Sequence, residues 1–240
     1  MVDATSIYGL YATLTFSLLL IPTILLGIYW LANKDQPASQ WLALSNVALL
    51  VGFVLAAFRN QLPDILGIFV FNILVILGLT LRLAGIRSMV ATDQASVSKT
   101  PDIVLALLGV AVFSLAYTLD ADFLTRVAVL SSWVAVIYVA TAKVIWDRPN
   151  KSLPHWLLLA CILAGTTLEA WRGLTYSLLA AGYTADTSSV DLVYMYHNPT
   201  AAVAVNFLSL FILVAAQLSE QKARSKQLNA EIQRLLDQGR

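Results

Sequence analysis

Long apolar runs recur along the whole chain, separated only by short polar connections, and this alternation limits the possible folds more than any motif does. Each run is about 18 to 25 residues long, and an α-helix of that length crosses the roughly 30 Å of hydrocarbon in a bilayer. A composition of 59% hydrophobic and 12% charged residues excludes an ordinary soluble domain. Segments of about ten residues with period-two alternation, typical of membrane barrels, do not occur. We therefore predict an all-α integral membrane protein.

The apolar runs predict a seven-helix bundle. The predicted spans are about 7–32, 40–58, 64–87, 102–119, 123–146, 154–182 and 199–219. The first run is too long for the core of a signal peptide and no basic segment precedes it, so it is expected to remain as a span. The connections leave no room for an inserted soluble domain. The predicted organisation is a seven-transmembrane domain, 1–219, followed by a cytoplasmic helical stalk, 220–240.

Basic residues distinguish the two sides of the predicted bundle. By sequence position, Arg59 and Arg126 fall on one side, together with the acidic residues Asp64, Asp120, Asp122, Asp186 and Asp191. The remaining flanking basic residues fall on the other side: Lys34, Arg82, Arg87, Lys99, Lys143, Arg148, Lys151, Lys222, Arg224 and Lys226. Since cytoplasmic loops carry the excess of Lys and Arg, this pattern predicts an outside N-terminus and a cytoplasmic C-terminus.

The last 20 or so residues are polar, rich in helix formers and without a breaker before Gly239, so they are predicted to continue span seven as a helix. Two heptad positions form a weak apolar seam, occupied by Leu218, Ser225 and Ile232 at one and by Gln221, Leu228 and Leu235 at the other. This pattern favours a short coiled coil in a homodimer. A solvated amphipathic tail is the alternative interpretation.

Residues for catalysis or cofactor binding are scarce. The two histidines, His155 and His197, fall on opposite sides of the predicted bundle and could not hold one metal or haem between them. Phosphate-binding loops, nucleophile motifs and zinc spacings are missing from the sequence, and span seven has no lysine for retinal. The single cysteine, Cys161, allows no intrachain disulfide. We expect no enzyme activity, no cofactor, no metal and no nucleic-acid partner.

Two opposite charges, Glu169 and Arg172, lie in the middle of the sixth apolar run, and charges at that depth usually mark a functional interior. Tyr176 completes an i, i+3, i+7 set on one helical face, which must face the bundle rather than lipid. Counted at 1.5 Å per residue from the outer boundary, Asn72 and Asn206 lie about 12 and 10 Å deep, close to the level of the charged pair.

These residues allow two interpretations. In the first, the two charges neutralise each other and the asparagines only bridge neighbouring helices. In the second, they line a pocket for a small anionic or amphiphilic ligand, with Arg59 closing it and His197 at its rim. The second interpretation predicts the ligand-binding set Arg59, Asn72, Glu169, Arg172, Tyr176, His197 and Asn206.

The segment Phe58–Asp64, with the later Asn72, Gly78 and Leu83–Arg87, resembles the N-terminal membrane sensor region of bacterial GGDEF-type diguanylate cyclases. The residues that match are Arg59, Pro63, Asn72, Gly78, Gly85 and Arg87, within about 30 residues. The resemblance implies a sensory module in the bacterial inner membrane whose stalk passes a signal to a cytoplasmic output domain that makes cyclic di-GMP. No GGDEF motif occurs in these 240 residues, so cyclase activity is not expected of them.

Three functions are therefore open at the level of sequence. The first is a ligand-sensing receptor module that signals through its stalk. The second is a small-molecule transporter or permease that uses the same polar layer as a substrate site. The third is a membrane anchor that only dimerises a cytoplasmic partner.

Overall fold

The computed structural model describes residues 20–31, 34, 36–59, 61–90, 100–148 and 151–183, together with 212, 215, 218, 222, 225–235 and 237–238. This described part is helical and contains no β-strand, as predicted. Its helices are α1 (Leu20–Leu31), α2 (Pro37–Ala57), α3 (Ile65–Val90), α4 (Thr100–Thr118), α5 (Phe123–Trp146), α6 (Leu153–Ala180) and α7 (225–235). Five of them, α2 to α6, are long and apolar enough to cross a membrane.

The second to sixth predicted spans are confirmed as helices, and each end lies within three residues of the predicted one. Helix α1 covers the described part of the first predicted span. Of the seventh, Ile212, Ala215 and Leu218 are described and are helical. The remainder of these two predicted spans lies outside the described residues.

Large apolar side chains cover the outside of the helices, as lipid contact requires. Leu107 and Leu115 on α4 are 64% and 58% exposed, and Val139 on α5 is 56% exposed. By contrast, Ser45 and Asn46 are fully buried inside the bundle. In water this distribution would leave a large apolar surface that promotes aggregation, whereas the hydrocarbon of a membrane accommodates it. The arrangement is that of a membrane-embedded protein.

Helices α2 and α3 form a tight antiparallel pair in which glycines of one helix meet leucines of the other. A Cβ atom added at Gly78 would lie 2.8 Å from Cγ of Leu49, and one added at Gly85 would lie 2.8 Å from Cγ of Leu42. Both contacts repeat after seven residues, which keeps them on one seam along the pair. The glycines therefore serve the packing of α2 against α3.

Helix α3 is central, because it packs against α2, α4 and α5, while α6 packs along α5. The main buried cluster joins side chains of α2, α3, α5 and α6, and it also includes Leu26 of α1, with Ile212 packed against it. At the opposite end of the α5–α6 pair, a smaller cluster is formed by Val127, Ala128 and Tyr176.

The turn between α2 and α3 packs closely against the first residues of α3. The first six residues of α3, Ile65–Val70, are π-helical, and a Cβ added at Gly67 would lie 2.9 Å from Cα of Arg59. Only glycine allows that approach of the turn to the helix. The backbone of Arg59 is thereby fixed, although its side chain remains exposed.

The N-terminus of α5 carries a side-chain cap outside the span. An oxygen of Asp122, Oδ1, accepts a hydrogen bond of 2.7 Å from the backbone N–H of Thr125. Hydrogen bonds from the side chain and the backbone of Thr125 lower the pKa of Asp122 below its ordinary value. The cap therefore depends on the ionised carboxylate for part of its strength.

Candidate functional site

The predicted face of Glu169, Arg172 and Tyr176 on α6 is confirmed. Glu169 and Tyr176 are only 7% and 3% exposed, so this face is turned into the bundle. The Arg172 guanidinium lies between its two neighbours, with Nη1 3.8 Å from Oε2 of Glu169 and Cζ 5.9 Å from the Tyr176 ring centre. The spacing of three and four residues places the three side chains on successive turns.

A glycine on the same face brings α6 close to α5. A Cβ added at Gly173 would lie 2.8 Å from Oγ of Ser132, so a larger residue would have to displace that hydroxyl. One turn earlier on α6, the Glu169 carboxylate faces the hydroxyl of Ser131, which is fully buried. No described group is placed to form a geometrically good hydrogen bond with that hydroxyl.

The ion pair in the site is loose. A separation of 3.8 Å is longer than a charge-assisted hydrogen bond, which is about 2.7–2.9 Å. The Arg172 Nε is buried and has no hydrogen-bond partner among the described residues. The Arg172 side chain is 21% exposed, against 9% for Glu169, so the cation is the more accessible member. The pair thus keeps unused donors and acceptors that a polar ligand group could engage.

Aromatic side chains and a second arginine lie at the same end of the bundle. The rings of Phe123 and Tyr176 meet edge to face, with centroids 6.4 Å apart. Arg126 on α5 lies over the ring of Tyr117 on α4, with Cζ 5.9 Å from the centroid. Its Nε is also buried without a hydrogen-bond partner in the described part of the chain. The sequence position of Arg126 predicts this side of the bundle, but it does not predict a place in the site.

The other predicted site residues are not drawn to this face by any described contact. Asn72 is buried, but its Nδ2 donates a 2.7 Å hydrogen bond to the carbonyl of Ile68 in the π-helical start of its own helix. The exposed Arg59 side chain makes no hydrogen bond or ion pair with the described residues. His197 and Asn206 lie outside the described residues. The site therefore rests on Glu169, Arg172 and Tyr176.

The prediction that Arg82 flanks a span end is wrong. Arg82 is 2% exposed within α3, and its Nη2 donates a 3.0 Å hydrogen bond to Oδ1 of Asn46 on α2, which is fully buried. Tyr138 of α5 lies close enough to act electrostatically on the guanidinium. We call these three residues the inner polar node. Sequence position alone does not reveal that Arg82 is buried. Arg82 precedes the end of α3 by only eight residues, about 12 Å, so it resembles a residue that flanks the span.

A signal for this node is nevertheless present in the sequence. Asn46 lies nine residues after the start of α2, about 14 Å along it, so the two polar side chains are at nearly equal depth in antiparallel neighbours. Two polar residues at one depth in adjacent membrane helices favour a hydrogen bond between them. The node lies in the half of the bundle opposite to the face of Glu169, Arg172 and Tyr176.

Metal binding finds no support among the described residues, where no three His, Cys, Asp or Glu side chains are grouped suitably for an ion. The arrangement on α6 is instead suited to recognising charge, since it offers an accessible guanidinium beside an aromatic ring. Comparison of the chain with protein-family models, with curated proteins and with solved structures finds no significant match.

Proposed function

We propose that the chain is the ligand-sensing module of a receptor in the bacterial inner membrane. It has seven spans, an outside N-terminus and a cytoplasmic C-terminus. The face of Glu169, Arg172 and Tyr176 is its input site, and it accepts the anionic or polar head of a small ligand from the outer side. The observation that carries this proposal is the loosely paired, partly accessible Arg172 guanidinium inside an apolar bundle.

Burial of the Glu169–Arg172 pair in an apolar bundle carries an energetic cost. Two charges taken out of water are stabilising only when their contacts are close and complete, and here the contact is long and one donor is unmet. A ligand carboxylate or phosphate would supply the missing acceptor to Arg172 in a bidentate manner. Binding would therefore favour the conformation in which Arg172 is turned toward the ligand, which is what a sensor requires.

Output is proposed to pass through span seven into the stalk. In α7, the seam residues Leu228, Ile232 and Leu235 are 62%, 48% and 64% exposed. An apolar seam on an otherwise polar helix is suited to pairing with a second copy of the same helix. The resemblance to GGDEF-type sensor regions supports an output domain or a partner protein in the cytoplasm, with cyclic di-GMP as the messenger.

The test measures whether the input site influences the pairing of two stalks, by disulfide crosslinking in bacterial membranes. In a Cys161→Ala background, Leu228→Cys provides one cysteine per chain on the exposed seam. We expect a crosslinked dimer, and we expect Arg172→Gln and Glu169→Gln to alter its yield by about fivefold or more, the usual size of coupling between sites.

Lys143→Gln is the matched control, because Lys143 is an exposed basic residue at the far end of the α5–α6 pair. It should leave the yield unchanged. If no crosslinked dimer formed, the proposed pairing of the stalk would be refuted. If the crosslinked dimer formed with the same yield in both input-site variants, signalling would be refuted and a simple membrane anchor would be favoured.

A further inference from the structure

Arg126 meets an aromatic cluster where α4 ends and α5 begins. Its Cζ lies 5.9 Å from the ring centre of Tyr117, and that ring lies 4.9 Å from the ring of Phe69 at the start of α3. Phe113 is buried and stacks on the ring of Phe69, with centroids 6.4 Å apart. Packing against Phe69 fixes the Tyr117 ring, and the ring in turn holds one face of the guanidinium by a cation–π contact.

The guanidinium of Arg126 keeps donors for a further group. Arginine carries N–H donors on Nε and on both Nη atoms. No described residue forms a hydrogen bond or an ion pair with any of them, and Nε is buried. Because the side chain as a whole is only partly buried, the Nη atoms are its accessible donors. A planar pair of such donors is suited to binding a phosphate through two parallel hydrogen bonds.

This arginine lies at the level where the spans meet the lipid headgroups. Arg126 is three residues after the start of α5, about 4.5 Å along it, and Tyr117 is one residue before the end of α4. Both side chains favour that level, because each combines an apolar body with a polar end. Leu115 and Leu119 at the same end of α4 are exposed, so apolar surface for acyl chains lies close to the cluster. The position therefore favours a lipid as the source of the phosphate.

A carboxylate accompanies Arg126 without pairing with it. Asp122 acts electrostatically on the guanidinium, but in the described structure its carboxylate bonds to Thr125 and forms no ion pair with Arg126. Asp122 is exposed, and an ionised carboxylate accepts about four hydrogen bonds, so acceptor positions remain. Asp120 in the same turn is also exposed and adds to the negative charge. A positive and a negative group thus lie near each other, each with hydrogen-bonding capacity left.

These two charges are complementary to a zwitterionic headgroup. Phosphatidylethanolamine carries a phosphate and, two carbons from the phosphate oxygen, an ammonium group with three N–H donors. We define Tyr117, Asp122 and Arg126 as the headgroup site. We propose that the headgroup site binds phosphatidylethanolamine, with the phosphate on the Nη atoms of Arg126 and the ammonium on the carboxylate of Asp122. Phosphatidylglycerol brings no cation to Asp122, and the trimethylammonium of phosphatidylcholine donates no N–H bond, so both should bind less tightly.

The proposal is tested with the purified full chain by native mass spectrometry in detergent, titrated with the three phospholipids carrying identical acyl chains. Phosphatidylethanolamine should bind at least about fivefold more tightly than either other lipid, which corresponds to about 1 kcal/mol. Arg126→Gln should weaken its binding by about fivefold or more. Arg126→Lys should lose only part of the binding, because an ammonium keeps the charge but not the two parallel bonds. Asp122→Asn should abolish the preference for phosphatidylethanolamine, since asparagine still caps α5 but carries no charge.

Arg59→Gln is the matched control, because it removes an exposed arginine from the same end of the bundle that makes no hydrogen bond or ion pair with the described residues. It should leave phosphatidylethanolamine binding within twofold of the parent. Equal binding of the three lipids would overturn the proposal, and so would a preference that survives Asp122→Asn. An effect of Arg59→Gln as large as that of Arg126→Gln would indicate diffuse attraction and would also overturn it. Melting temperatures of all variants show that binding, not folding, has changed.

Discussion

Replacement of Asn46 by leucine should destabilise the protein through the inner polar node. Asn46 Oδ1 accepts the hydrogen bond from Arg82, and leucine has a similar size but accepts nothing. Hydrogen bonds to charged groups contribute about 1.5–3 kcal/mol in soluble proteins. Measured bonds between membrane helices average about 0.6 and reach about 1.7 kcal/mol.

We expect Asn46→Leu to lower the free energy of unfolding by about 1–1.5 kcal/mol. Near-complete burial of both residues places the bond at the upper end of the membrane range. A second effect makes the Asn46→Leu substitution less destabilising. The Asn46 Nδ2 is buried without a hydrogen-bond partner among the described residues, and leucine removes that unmet donor.

The measurement is reversible unfolding in mixed lipid and SDS micelles, followed by circular dichroism. A double-mutant cycle with Arg82→Met isolates the bond, since the pair should cost less than the sum of the single changes by about 1 kcal/mol. Asn72→Leu is the matched control. Asn72 is also buried, but its hydrogen bond stays within its own helix, so we expect less than half the effect. Equal effects at both asparagines, together with strict additivity in the cycle, would refute this reasoning.

Three further predictions concern thermal melting in detergent. Gly109→Ala places a methyl group inside the volume of an α5 indole and should destabilise by about 1–3 kcal/mol, whereas Gly27→Ala, with nothing within 4 Å, should not. Arg87→Ala leaves the carboxylate of Asp102, 4% exposed, without its bidentate partner, and should cost about 2–3 kcal/mol, more than removal of both side chains. Asp122 has a lowered pKa, so its stabilisation is present above about pH 4 and lost as the pH falls through the native pKa; Asp122→Asn keeps the cap and should flatten that part of the melting profile.

The sequence predicts the helices well, because membrane helices must be both long and apolar. The five spans from α2 to α6 follow from hydropathy alone, with ends within three residues. The face of Glu169, Arg172 and Tyr176 follows from helical period, since charged groups cannot face lipid without a large cost. Both results depend on local pattern and on the solvent, and neither requires knowledge of which helices are neighbours.

Contacts between neighbouring helices account for the features that the sequence does not predict. Position along the chain suggests that Arg82 belongs with the basic residues at a span end, but a buried amide from α2 keeps it inside. Likewise, the π-helical start of α3 redirects Asn72 to a carbonyl of its own helix, and no periodicity in the sequence marks that change. Such features depend on contacts between helices, which composition and spacing do not specify.

Arg82, which is buried, and Arg172, which is partly exposed, are paired in different ways. Arg82 is bound by an amide from another helix, so its hydrogen bond joins α2 to α3 and resists any change in their packing. Arg172 is bound loosely by a carboxylate of its own helix, so its contact can open without separating any helices. A sensor needs a charge whose partner can be exchanged at little structural cost, and only the second arrangement provides one. For that reason we propose that the α6 pair recognises the ligand and that the inner polar node contributes stability.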